Sequence, residues 1–262
     1  VKKAWSKEHA EGEGNSPQFG IIEADRMIIR EHLLETVIHI ESDQLRRLLA
    51  DCLKFMAETD AAVWLPQAVA QLRKYLTLGA ASVPQMCAAL DAIHKIEGGL
   101  PQDQIPALIN ELFIPMMTIG KAAIDGPVAS PSGALVLKMI CKILYHANPT
   151  SLWDGDAGSN QPSILDNQSD VVTGFLATVV QRELPATGED DFLVQFWLPK
   201  KWAVRFFSKT TAWYRRCDSQ TKKAKDSFFK VLQNCLPEVM KTVIILLEKS
   251  FNGIFIPKKV HS

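Results

Sequence analysis

The sequence predicts an all-α fold, an α-solenoid built from antiparallel helical hairpins. Two observations support this prediction. Hydrophobic residues recur at three- and four-residue intervals along almost all of the 262 residues. The helical segments are separated by short breaks rich in Gly, Pro, Asp and Asn, which are typical of helix ends. Composition agrees, because 47% hydrophobic and 22% charged residues are typical of a protein with a large core. No uninterrupted apolar run approaches the roughly 18 to 20 residues that a membrane-spanning helix needs.

Residues 24–40 form one predicted amphipathic helix. Its apolar side consists of Met27, Ile29, Leu33, Leu34, Val37 and Ile38. Its polar side includes Arg30, Glu31, Glu35 and His39. Because the two sets separate at the helical period, we expect the apolar set to be buried and the polar set to face solvent or a partner.

Eight further helical segments follow in the sequence. Their predicted ranges are 42–59, 64–78, 83–97, 102–123, 132–147, 170–184, 192 or 200–215, and 223 or 226–249, the last with a kink at Pro237. Ser42 or Asp43 is placed to cap the second helix, and Pro66 is expected in the first turn of the third. Residues 192–198 and 253–255 have strand-like composition but are too short to build a sheet.

Taken in pairs, these helices give five hairpin units. The units are 1–40, 42–78, 82–123, 132–184 and 193–249. Successive units from the second onward begin about 40, 50 and 61 residues apart, close to the length of a HEAT or armadillo repeat extended by loops. In a solenoid each pair covers the apolar face of its neighbour, so we expect residues 1–262 to form one continuous solenoid. A closed helical bundle with the same helices is the alternative.

Charge is unevenly distributed along a chain whose 29 basic and 29 acidic residues cancel. Residues 193–262 carry 14 basic and 4 acidic side chains, a net charge of +10, and residues 101–192 carry 4 and 11, a net charge of −7. The predicted basic patch consists of Lys200, Lys201, Arg205 and Lys209. It could attract phosphates or acidic proteins, or form a solvated helix face beside an acidic neighbour.

Aromatic residues are interleaved with these basic residues. In principle they could stack nucleic-acid bases while the cations hold phosphates. However, Trp202, Phe206 and Trp213 follow each other at helical spacing, which favours a packed seam with a basic outer face. We therefore do not expect nucleic acid as a partner; salt-sensitive binding to DNA or RNA would indicate the opposite.

No pattern typical of an enzyme or a metal site is found in the sequence. A phosphate-binding loop ending at Gly120-Lys121 would need glycine at Pro115 and Ser or Thr at Ala122. The five cysteines contain no CxxC pair, and neither GxSxG nor HExxH occurs. His32, Glu35 and His39 share a helix face, but nothing supplies a clear fourth ligand. We therefore predict neither catalysis nor a metal or other cofactor.

Two segments resemble the importin-β superfamily of nuclear transport receptors, in particular the importin seven and eight branch. The first is IEADRMIIREHLLET at residues 22–36, which is similar to the second helix of an early HEAT repeat in that branch. The second is FWLPKKWA at residues 196–203, which is similar to the opening of a later repeat. They occur in the order found in the family. The resemblance suggests an N-terminal portion of a longer superhelix that begins inside a repeat.

The resemblance implies a function in nucleocytoplasmic transport, with shuttling between nucleus and cytoplasm. Receptors of this family bind the GTP form of the small GTPase Ran, cargo proteins and Phe-Gly nucleoporins. The concave second-helix face that binds Ran would carry Arg26, Arg30, Glu31, Glu35, Gln71 and Lys74 here, with Gln67 beside them. Convex grooves near Phe206 and Phe207 would accept a nucleoporin aromatic if those rings were exposed. A generic HEAT-repeat scaffold without Ran binding is the alternative. No membrane association is implied.

Overall fold

A computed structural model describes residues 21–77, 79, 81–101, 103–147, 164–185, 190–216, 219 and 226–251. Within these ranges the regular secondary structure is entirely helical, so the all-α prediction is confirmed, and residues 192–198 are helix rather than strand. The segment 253–255 lies outside the described residues. The helices are α1 Glu23–His39, α2 Asp43–Tyr75, α3 Val83–Glu97, α4 Ile105–Asp125, α5 Pro131–Ala147, α6 Ile164–Gln181, α7 Asp190–Arg216 and α8 Asp226–Phe251.

Helix α2 joins two of the predicted helices across a break at Asp60, whose φ of −128° and ψ of 17° are not helical. At its start the Ser42 hydroxyl accepts a hydrogen bond from the Leu45 amide at 3.4 Å, which confirms Ser42 as the cap. Because the helix resumes directly after Asp60, Pro66 lies inside it and not in its first turn. The predicted start near residue 64 was therefore a few residues late.

The chain divides into two compact units, residues 1–101 and 102–262, and each is described by itself. The predicted hairpin of residues 82–123 spans this division. In the first unit, α1 runs in the same direction as the second half of α2. Arg30 contacts Asp60 near the start of that half, and His39 contacts Tyr75 at its end. The first half of α2 runs parallel to α3 in the same way, because Lys95 pairs with Asp51 at 2.5 Å and Gly99 lies against Lys54.

In the first turns of α1, an arginine occupies the buried face two turns before Leu33, and two apolar residues are exposed. Arg26 is 7% exposed, whereas Met27 and Ile28 are 58% and 56% exposed. Arg26 Nε donates to the Ile21 carbonyl at 3.1 Å, which satisfies its buried guanidinium. The predicted apolar side is confirmed only in the second half of α1, from Leu33 onward.

In the second unit, each of the first three helices packs against the next helix but one in the chain. Helix α4 packs against α5 and also along α6, while α5 packs along α7 and α6 along α8. Two contacts set the direction of α4 and α6. Gly120 of α4 lies against the Phe175 ring, and Arg182, just after α6, donates to the carbonyls of Gly126 and Pro127, just after α4. The two helices therefore run parallel. Helix α8 continues through Pro237.

Helix α4 is long and apolar enough to cross a membrane if length and composition alone are considered. This corrects the sequence prediction that no segment is. However, Leu108, Ile109, Leu112 and Met116 are buried within the second unit. A mostly apolar helix that is packed in this way is typical of a protein core.

We predict that Gly99→Ala destabilises the first unit by about 1 to 3 kcal/mol, because the added methyl would overpack the contact with α2. A Cβ at Gly99 would lie 2.0 Å from the Lys54 carbonyl oxygen, a backbone atom that cannot rotate away. Gly98→Ala is the matched control, since its nearest neighbour would be at an ordinary 3.5 Å. Urea unfolding of both variants checks this. Equal stability of the two variants would show that α2 and α3 do not approach this closely.

Candidate functional site

Four of the residues predicted to bind a partner lie together on α1 and the second half of α2. We call Glu31, Glu35, Gln71 and Lys74 the polar surface of the first unit. The Glu31 side chain is 65% exposed, and Glu35 and Lys74 are also exposed. The Gln71 amide donates to the Glu31 carbonyl at 3.5 Å, which joins the two helices at this surface. Burial raises the pKa of Tyr75, and the negative charge of Glu35 contributes to the rise.

Arg26 and Arg30 are not part of this surface, which corrects their predicted placement. The Arg30 side chain is 11% exposed. Its Nε and Nη2 donate to one carboxylate oxygen of Asp60, at 3.3 and 2.9 Å, and its Nη1 donates to Glu23 at 2.6 Å. The bond to Glu23 contributes most to raising the pKa of Arg30, and the bonds to Asp60 raise it further. Burial has the opposite effect and lowers it. Arg30 thus ties α1 to the break in α2.

The histidines of the stripe formed by His32, Glu35 and His39 have different surroundings. His32 is 61% exposed. The His39 ring nitrogens lie 2.8 Å from the Tyr75 hydroxyl and 3.2 Å from the Gln85 amide, so His39 is held by α2 and α3. Among the described ranges, no group of three or more His, Cys, Asp and Glu side chains is placed to hold a metal ion.

Lys200 is not a surface residue, which corrects the predicted basic patch. It is 4% exposed. Its ammonium donates to the carbonyls of Val179 at 3.3 Å, Val180 at 2.6 Å and Arg182, at and just after the end of α6. The last carbonyls of a helix have no partner within the helix, and a cation there also meets the negative end of the helix dipole. Burial, with repulsion from Arg182, lowers the pKa of Lys200 to about 7.

The remaining basic-patch residues are half-buried on α7, where Arg205 and Lys209 contact aromatic rings of α7 and α5. Arg205 lies 5.0 Å from the centre of the Trp202 ring. Lys209 lies 4.9 Å from the Tyr145 ring and donates to the Tyr145 carbonyl at 3.1 Å. Burial, with repulsion from Arg205, lowers the pKa of Lys201. Phe206 is fully buried, as the packed seam predicts, whereas Trp202 is only half-buried.

A groove of about 380 Å³ lies between α7 and α8. Its walls are mainly apolar and include Phe207, Val204, Val239 and Met240. The sequence prediction places a nucleoporin aromatic near Phe206 and Phe207 if their rings are exposed. They are 0% and 2% exposed, so these rings cannot themselves be the docking surface. Met240, at 55% exposed, is the accessible apolar side chain here.

We predict that the pH dependence of stability changes when Lys200 is replaced by methionine. The folded pKa of Lys200, about 7, lies below the unfolded value of 10.5. Between these values the unfolded chain binds a proton that the folded chain lacks, so this group makes stability rise with pH, by at most about 1.4 kcal/mol per pH unit. The free energy of unfolding of the wild type, minus that of Lys200→Met, should therefore increase from pH 7 to pH 10. A constant difference would contradict the burial of Lys200.

Comparison of the chain with protein-family models, with curated proteins and with solved structures found no match in any of the three.

Proposed function

We propose that this chain is part of an α-solenoid receptor of the nuclear transport type, which acts by binding proteins rather than by catalysis. Its partners would be the GTP form of Ran, cargo proteins and Phe-Gly nucleoporins, and it would shuttle between nucleus and cytoplasm. The observation that carries the proposal is the parallel packing of alternate helical segments, together with the resemblance of residues 22–36 and 196–203 to importin repeats.

Helix direction supports the solenoid part of the proposal. In stacked helical hairpins, the first helices of successive pairs lie side by side and parallel, and so do the second helices. The first unit has this relation between α1 and the second half of α2, and between the first half of α2 and α3. The second unit has it between α4 and α6. Up-and-down bundles instead place neighbouring helices antiparallel.

The polar surface of the first unit supports the position of the Ran site. It lies on the segment that resembles an early importin repeat, and on the helix beside it. Exposed charges of both signs on rigid helices suit a protein interface, because they direct the approach of a partner and fix its register. Glu31 and Glu35 supply negative charge there, and Lys74 supplies positive charge.

Coupling between partners follows from the architecture proposed. If Ran and cargo prefer different curvatures of the solenoid, each lowers the affinity of the other, and the two effects are equal as binding free energies. A generic HEAT-repeat scaffold is the second candidate. It would have the same helix packing but no preference for the nucleotide state of Ran.

We expect this chain, or a version extended at both ends, to bind GTP-loaded Ran in preference to GDP-loaded Ran. The double variant Glu31→Lys with Glu35→Lys should weaken that binding at least about tenfold, because it reverses two exposed charges at the proposed contact. Binding is measured by pull-down and by calorimetry.

The matched control is Glu183→Lys with Glu238→Lys, which makes the same charge change at exposed positions of the second unit. Arg30 is avoided because its loss would disturb the break in α2. If neither this chain nor the extended version binds Ran, the generic scaffold is favoured. If both double variants weaken Ran binding equally, the proposed location of the Ran site is rejected.

A further inference from the structure

The second unit carries a cluster of cations around aromatic rings where α5 and α7 pack together. We define the α5–α7 cluster as Lys142, Tyr145 and His146 of α5 with Trp202, Arg205 and Lys209 of α7. The Tyr145 and Trp202 rings are 5.1 Å apart, and the His146 and Trp202 rings 5.7 Å. The Lys142 ammonium lies 5.9 Å from the centre of the Trp202 ring.

From this geometry we propose that the α5–α7 cluster is a binding surface for an acidic, extended peptide segment of a partner protein. This site is separate from the polar surface of the first unit and does not depend on the nuclear transport proposal.

The cations of the cluster are held in place rather than free to disperse. Arg205 and Lys142 both lie within 6 Å of the Trp202 ring, where the electron-rich face attracts a cation. Lys209 is fixed by the Tyr145 ring and carbonyl. A preorganised set of cations loses less conformational entropy when an anion binds, which favours affinity.

The positive charges of the cluster also act on His146. Burial lowers the pKa of His146, and repulsion from Lys142 and Lys209 lowers it further. The His146 side chain remains exposed. An approaching carboxylate would relieve this repulsion between like charges.

The dimensions and the rings favour a peptide over a nucleic acid. Lys201 lies one turn before the cluster on α7, beside Arg205. Lys201, Arg205 and Lys209 are spaced by four residues, so the first and last are about 12 Å apart. That length matches three or four residues of extended peptide. Base stacking needs an open aromatic face, but the Trp202 ring already has Tyr145, His146, Lys142 and Arg205 around it.

Fluorescence anisotropy with three labelled probes tests the proposal on the full 262-residue chain. The probes are a ten-residue Glu-rich peptide, the same peptide with Gln for Glu, and a ten-nucleotide oligothymidylate. We expect binding of the Glu-rich peptide that weakens with salt, with the Gln peptide and the oligonucleotide at least about tenfold weaker.

Three double variants show where the peptide binds. Lys142→Gln with Arg205→Gln should weaken peptide binding about tenfold, whereas Lys230→Gln with Lys241→Gln, the same charge change on exposed residues of α8, should leave it within about twofold. Lys142→Arg with Arg205→Lys keeps the charges and should retain most of the affinity. Lys209 is left unchanged because it caps α5, and thermal unfolding verifies that each variant folds.

Three results would overturn the proposal. The first is that the Glu-rich peptide binds no more tightly than the Gln peptide does, and the second is that the α5–α7 and α8 glutamine variants weaken its binding equally. The third is that the oligonucleotide binds more tightly than the Glu-rich peptide does. The last would identify the cluster as a nucleic-acid surface instead.

Discussion

Cationic side chains from later segments bind the carbonyls at the ends of earlier helices, and this interaction recurs in both units of the protein. Arg46 donates to the Ile40 carbonyl after α1, at 2.7 Å. Arg182 does the same after α4, Lys209 within the last turn of α5, and Lys200 at the end of α6. Each cation comes from a later part of the chain than the helix it caps. The caps therefore satisfy carbonyls that the helices leave unpaired, and they also fix how a later segment lies against an earlier helix.

Part of the positive charge in the last quarter of the chain is used to cap helix ends. A net charge of +10 in residues 193–262 first indicated a surface that attracts anions. Lys200 instead serves the fold, since its three N–H groups bind carbonyls of the preceding helix end. Lys209 both caps α5 and belongs to the cationic cluster. Arg205 and Lys142 lie over the Trp202 ring.

Local signals in the sequence predicted much of the fold. Helix positions follow from the 3.6-residue period, and Ser42 caps α2 as its type and position predict. Gly98 and Gly99 end α3, as their residue type predicts, whereas the close approach of Gly99 to α2 is seen only in the structure. The burial of Arg26 and Arg30 could not be predicted from the period, because it depends on the Ile21 carbonyl and on Asp60, which lies thirty residues further along the chain from Arg30. Lys200 escaped prediction for the same reason, since only tertiary packing brings it to the end of α6.

The candidate binding surfaces were predictable to different degrees. Glu31, Glu35 and Lys74 are exposed where an amphipathic helix pattern and the importin resemblance place them. The α5–α7 cluster needed the structure, because Lys142, Tyr145 and Trp202 are brought together from helices separated by another helix in the chain. The repeated pairing of a helix with the next but one creates both surfaces. It brings residues that are distant in the sequence into contact.

Hydrogen–deuterium exchange across Lys200→Met tests most directly whether the cation caps hold the helices in place. We expect faster exchange confined to the amides of the last turn of α6, because its carbonyls lose their partner while the rest of the helix stays packed. Lys230→Met, at an exposed position of α8, should leave that turn unchanged. Unchanged exchange at the end of α6 in Lys200→Met would contradict the account, since it would mean that the cap contributes nothing to the order of the helices.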